Sequence, residues 1–120
     1  MDKELKERKK RYEERIEKRD EIENGLLDQL QDRDIYESHF TDLVADYMSL
    51  WDVKNELIHD IKARGVSVRY QNGANQWGYK KNDCVPELNR VNGQMLTILR
   101  ELGLKPEKVV LDDEDEDFEL

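Results

Sequence analysis

Residues 38–65 read SHFTDLVADYMSLWDVKNELIHDIKARG, and the fold is decided here. Phe40, Leu43, Val44, Tyr47, Leu50, Trp51, Leu57, Ile58 and Ile61 recur every three or four residues, the spacing that places side chains along one face of an α-helix. No helix breaker intervenes before Gly65, a residue suited to the left-handed conformation in which helices end. The stripe runs for about seven turns. Just before it, Asp34-Ile35-Tyr36-Glu37 reads as a capping box, with Glu37 three residues after Asp34 and Ser38 as a rival cap.

Downstream the period changes. Val66, Val68 and Tyr70 alternate with Ser67 and Arg69, and Trp77 and Tyr79 alternate with Gly78 and Lys80. Between them lies Gln71-Asn72-Gly73-Ala74, and Asn-Gly is a strong tight-turn signal. The expectation is a two-stranded hairpin that packs on a helix or a neighbouring subunit, because isolated hairpins are marginal. A further helix follows. Asn82 or Asp83 can cap it, Pro86 is tolerated in its first turn, and Gly103 and Pro106 stop it. Its stripe is Leu88, Val91, Met95, Ile98, Leu99 and Leu102.

Upstream, residues 2–23 are a dense run of Lys, Arg and Glu, all good helix formers. The pairs Glu4/Arg8, Glu7/Arg11 and Glu14/Lys18 support a helix on its own surface. Leu5, Tyr12 and Ile16 make too narrow a stripe for a core, so this segment is expected to be an exposed arm. Asn24-Gly25 is expected to break it, with Leu26, Leu27 and Leu30 forming a short second helix that ends near Arg33. The predicted fold is therefore mainly α: an exposed N-terminal helical arm, a long antiparallel helix pair joined by a β-hairpin, and a disordered acidic C-terminal tail. The division follows as arm 1–33, oligomerisation core 34–106 and tail 107–120.

Composition limits function. Of 120 residues, 41% are charged and 37% hydrophobic, with net charge −9. That balance suits long helices burying one stripe, often against another subunit, better than a self-sufficient core. Residues 112–120 hold seven acids and no base, and without them the rest of the chain carries −2. The first twenty residues hold nine Lys/Arg and seven Asp/Glu. Such asymmetry marks separate interaction surfaces. A single cysteine, Cys84, excludes an internal disulfide and a Cys-cluster metal site. The charged start is no signal peptide, and no apolar run approaches the roughly 18 residues that span a bilayer. No membrane partner is expected, and the location expected is the cytoplasm.

No constellation for catalysis, cofactor or metal is found. His39 and His59 are far apart, and Gln71-Asn72-Gly73 lacks the Lys-Ser/Thr of a phosphate loop. Cys84 has no evident base. Asp28 and Asp32 share a helix face, but a metal site needs ligands converging from several elements. The basic set Lys6, Arg8, Lys9, Lys10, Arg11, Arg15, Lys18 and Arg19 can neutralise phosphates. It can equally be a salt-bridged solvated helix, since acids are interleaved. Tyr70, Trp77 and Tyr79 can stack on bases, although the packed face of a hairpin is the favoured reading. The expected oligomerisation residues are Phe40, Leu43, Tyr47, Leu50, Trp51, Leu57 and Ile61 with Leu88, Val91, Met95, Ile98, Leu99 and Leu102. The stripes around Trp51 and Met95 look too large for one thin chain to bury. Asp112, Asp113, Glu114, Asp115, Glu116 and Asp117, with the apolar Phe118 and Leu120, suit docking on a basic partner surface.

One ordered set of motifs goes beyond composition. Asp42-Leu43-Val44-Ala45-Asp46-Tyr47, Gly65, Asn72-Gly73, Lys80-Lys81-Asn82, Asn92-Gly93-Gln94-Met95-Leu96 and Leu102-Gly103-Leu104-Lys105-Pro106 follow one another. In this order they resemble the short terminase small subunits of tailed phages, over about residues 26–106. Pro86 departs from that pattern, lying four residues after Asn82 rather than next to it. The resemblance implies a non-enzymatic ring of about eight to ten subunits, a closed cyclic homo-oligomer. It further implies recognition of viral double-stranded DNA and engagement of the large terminase subunit, which carries the ATPase and nuclease. The rival reading is a helical adaptor or scaffold without DNA contact.

Overall fold

The computed structural model describes residues 2–104. The chain order is α1 (Lys3–Asp32), α2 (Ser38–Arg64), β1 (Ser67–Gln71), β2 (Trp77–Lys81) and α3 (Cys84–Leu102). The protein is mainly helical, with one small antiparallel hairpin, as the periodicities imply. It divides into two units, Met1–Met48 and Ser49–Leu120, and the boundary falls inside the continuous helix α2.

In the first unit, α1 starts at Asp2, whose carboxylate accepts a hydrogen bond from the Glu4 amide at 3.3 Å. The helix then continues unbroken through Asn24-Gly25, which corrects the expected break. A helical glycine costs only about 1 kcal/mol relative to alanine, and Leu26 and Leu30, one turn apart just beyond it, are buried. Leu5, Tyr12 and Ile16 are exposed, so the first half of α1 is the exposed arm that was expected.

The expected Asp34–Glu37 capping box does not form. Asp34 adopts a positive φ of 58° and closes α1 instead. Its amide donates to the Gln31 carbonyl, and the Ile35 amide reaches back to the Leu30 carbonyl, each at 2.9 Å. This is the paired bonding of a left-handed helix end, and a residue in that conformation cannot also be the extended cap of the next helix. The following helix opens at Ser38, where the Phe40 and Thr41 amides bond to the Glu37 carbonyl. On α2, Val44 and Met48 are buried one turn apart.

In the second unit, α2 ends at Gly65 (φ 86°), whose amide bonds to the Ile61 carbonyl at 2.7 Å. The two strands pair antiparallel, with Ser67 opposite Lys81, Arg69 opposite Tyr79 and Gln71 opposite Trp77. A five-residue connection, 72–76, closes on a 2.8 Å bond from the Asn72 amide to the Gln76 carbonyl, with Gly73 at φ 93°. The Tyr70 ring lies over Gly78: a Cβ there would come within 2.9 Å of it and would displace this exposed side chain. α3 buries Val91, Met95, Leu99 and Leu102. It closes at Gly103 (φ 73°), with the Leu104 amide returning to the Leu99 carbonyl and both leucines buried.

Candidate nucleic-acid interface and assembly surfaces

All eight basic residues singled out in the arm lie on α1. Lys6, Arg8, Lys9, Lys10, Arg11 and Lys18 are exposed, while Arg15 and Arg19 are half-buried. At 3.6 residues per turn the helix sorts them. Arg8, Arg11, Arg15, Lys18 and Arg19 fall within an arc of about 100°, and between positions 8 and 19 no acid enters that arc. Glu13, Glu14 and Glu17 project elsewhere, on the faces that carry Lys6, Lys9 and Lys10. Arg19 is ion-paired to Glu23 at 3.8 Å, one turn on. Between positions 8 and 19 that arc is free of acids, while Glu4, Glu7 and Glu14 stand one turn before Arg8, Arg11 and Lys18 and adjoin them on the helix surface. Of the five cations on that face, Arg8, Arg11 and Lys18 are exposed.

The hairpin carries a second cationic surface. Ser67, Arg69, Gln71, Trp77, Tyr79 and Lys81 share one face, and Val68, Tyr70, Gly78 and Lys80 share the other. The Arg69 guanidinium sits 4.1 Å from the centroid of the Trp77 ring, a cation–π stack. Trp77 is 55% and Tyr79 76% exposed. The reading of these aromatics as a packed hairpin face is therefore corrected for the single chain. The register explains it, because Tyr70 and the Trp77/Tyr79 pair project from opposite faces, so no single packed aromatic face exists.

The expected oligomerisation residues fall into two groups. Trp51, Val91, Met95, Leu99 and Leu102 are buried in the chain itself. One chain thus buries Trp51 and Met95 themselves and covers the rest of the two stripes only in part. Phe40, Leu43, Tyr47, Leu50, Leu57, Ile61, Leu88 and Ile98 are half-buried, and partial burial pushes the Tyr47 hydroxyl pKa up. Val53 and Leu96 add exposed apolar area, Leu96 at 60%. The tail residues expected to dock a partner, 112–118 and 120, lie outside the described residues.

At the base of the hairpin stands a network that sequence reading missed. Asn82 is fully buried. Its Nδ2 donates to Asp60 Oδ2 at 3.0 Å and to the Gly65 carbonyl at 2.9 Å. Its Oδ1 accepts from the Cys84 amide at 2.9 Å and from Arg64 at 3.3 Å, while its own amide donates to the Val66 carbonyl at 2.8 Å. Asn82 therefore holds the end of α2, the closing rung of the hairpin and the start of α3 together, and it supplies the cap expected of Asn82 or Asp83. Two signals were present in the sequence: Asp60 and Arg64 at i,i+4 spacing, and an Asn two residues before Cys84. What they do not reveal is the long-range bond to Gly65.

Arg64 binds Asp60 through two nitrogens, at 2.8 and 2.9 Å. That pair, then Asn82, holds the Asp60 carboxyl well below the usual carboxylate range. The sign follows: the contribution of this network to stability is full above the unfolded carboxylate value of about 4 and is lost as pH falls towards the depressed folded value. The hydrogen bond with Asp60, then burial, pushes the Cys84 thiol up, so it stays protonated and poorly nucleophilic at neutral pH. His39 stacks on Phe40 at 4.3 Å and His59 is exposed. Among the described residues no group of three or more His, Cys, Asp or Glu is placed to hold a metal, and no described helix is long and apolar enough to cross a membrane.

Comparison with known proteins gives the family. The family model described as "Phage terminase, small subunit" matches residues 24–109, most of the chain. The chain belongs to the phage terminase small subunit family, and its role lies in phage DNA packaging. No curated protein and no solved structure matches it. The match takes in α2, the hairpin and α3, and it begins after the basic residues of α1.

Proposed function

We propose that this protein is the non-catalytic component that selects viral double-stranded DNA for packaging, assembled as a closed ring in the host cytoplasm. The observation that carries the reading is the row of Arg8, Arg11, Arg15, Lys18 and Arg19 along one face of α1, with Arg8, Arg11 and Lys18 exposed and Arg15 and Arg19 half-buried. A single row of five cations binds DNA weakly. Repeated around a ring, such rows act together, and affinity rises through effective concentration without new contacts. The functional division is then an arm 1–33 that meets DNA, a core 34–106 that assembles and a tail 107–120 that meets the large subunit.

The ring contact falls to apolar side chains that one chain leaves open: exposed Val53 and Leu96, with half-buried Leu50, Leu57 and Ile98. Head-to-tail contacts of this kind close into rings when the rotation between subunits divides a full circle. Light scattering is expected to give about eight to ten subunits, and a monomer at micromolar concentration would overturn the ring. For the tail, ending the chain after Leu111 is expected to abolish capture of the large subunit while leaving DNA binding nearly unchanged. Full capture by the shortened chain would remove the docking role.

A further inference from the structure

Residues 61–82 contain Lys62, Arg64, Arg69, Lys80 and Lys81 and not one acid, in a chain with 29 Asp and Glu. The structure folds this acid-free stretch into the end of α2 and the hairpin. Beside it lies an open groove of about 370 Å³ lined by Val66, Ser67, Tyr79, Lys80, Lys81 and Val85. Val66 is 64% exposed there and Val85 only half-buried. The groove is thus an apolar strip bordered by two lysines, with the Arg69–Trp77 stack on the same face as Tyr79 and Lys81.

A duplex backbone would use the cations and leave the apolar strip in water. An acidic peptide with apolar side chains would use both. The chain contains one such segment: residues 112–120, seven acids with Phe118 and Leu120 among and after them. We infer that the groove between the hairpin and the start of α3 is a docking site for this chain's own acidic C-terminal segment, with Phe118 or Leu120 on Val66 and Val85 and the acids against Lys80, Lys81 and Arg69.

Reach permits it within one chain. α3 is 19 residues long, which separates Leu104 from the groove by about 28 Å. Fourteen residues from Leu104 to Phe118 extend to about 48 Å. Docking within the chain also benefits from an effective concentration that a separate partner lacks. The basic arm is the poorer host, because Lys3–Asp32 carries ten acids beside its nine bases and α1 carries Leu5, Tyr12 and Ile16 as isolated exposed side chains. The consequence is exchange: the segment proposed to engage the large subunit is held on the hairpin until that subunit displaces it. The docking itself does not depend on the ring or on DNA binding by the arm.

The test places the photo-crosslinker p-benzoylphenylalanine at Phe118 in the full-length chain, with equal amounts of light and ¹⁵N-labelled protein. After irradiation, mass spectrometry is expected to find cross-links to residues 66–85, joining light to light and heavy to heavy. Raising salt from about 50 mM to about 500 mM is expected to cut the yield several-fold, since the Debye length falls well below the span of the charge cluster. Lys80→Glu with Lys81→Glu, both exposed positions, is expected to do the same. Cross-links concentrated on residues 3–19, mixed-isotope cross-links alone, or a yield indifferent to salt and to both lysine reversals would each overturn the proposal. A doubly reversed chain that loses duplex binding while keeping its cross-links would overturn it too, making the hairpin a nucleic-acid surface instead.

Discussion

Asn82→Ala is expected to lower the stability of the chain by about 2–4 kcal/mol, the largest loss from any single polar substitution in it. The side chain is fully buried and makes four hydrogen bonds. Truncation leaves the Gly65 carbonyl and the Cys84 amide without their partners. An abandoned buried group costs about 1–3 kcal/mol, more than the net value of an intact bond. The total is a large share of the roughly 5–15 kcal/mol that holds a domain folded. Urea unfolding checks it, with the midpoint moving and the slope unchanged. Asn82→Asp is the sharper variant. It keeps the shape and the cap on Cys84, but it replaces the Nδ2 donor with an anion facing Asp60. A comparable loss is expected at pH 7, partly relieved as pH falls and one of the two carboxyls takes a proton. A loss below about 1 kcal/mol in both variants would show that the hairpin is held by something other than this residue.

Reversing Arg8, Arg11 and Arg15 to Glu is expected to weaken duplex DNA binding by about 100-fold or more at 0.1 M salt, and to reduce the slope of log affinity against log salt by about three for each subunit that contacts the duplex. Each lost phosphate contact removes close to one released counterion, and in a ring the loss recurs in every subunit. The comparison that gives the experiment its force is the parallel reversal of Lys6, Lys9 and Lys10. It changes net charge equally, on helix faces already shared with Glu13, Glu14 and Glu17. A much smaller effect is expected there. Equal effects from the two triple variants would mean that bulk charge, not the face, governs binding. No effect from either would move the DNA site off α1.

The sequence alone determined most of the architecture, because helix and strand periods are local properties. The three-and-four spacing from Phe40 to Ile61 and from Leu88 to Leu102, the glycines at 65 and 103, and the alternation on either side of Asn72-Gly73 each state their conformation within a few residues. The family that the ordered motifs from Asp42 to Pro106 resemble is the one whose model matches residues 24–109. Local signals misled where tertiary context outweighed them. Asn24-Gly25 remains helical because burial of Leu26 and Leu30 on the next turn exceeds the cost of one glycine. Asp34 looks like a cap for the helix ahead, but it is committed to closing the helix behind. Other features depend on residues far apart in the chain, and those only the tertiary structure decided. The strand register puts Tyr70 on one face of the hairpin and Trp77 and Tyr79 on the other, which no alternation pattern within a single strand reveals. The burial of Trp51 and Met95 within the chain separates the core members of the two stripes from the half-buried ones, a distinction invisible in two equal apolar stripes. Asn82 reads as an ordinary cap until Asp60, Arg64 and Gly65, about twenty residues away in sequence, are brought around it. A hydrogen-bond network is set by meeting in space, and only the completed fold arranges that meeting.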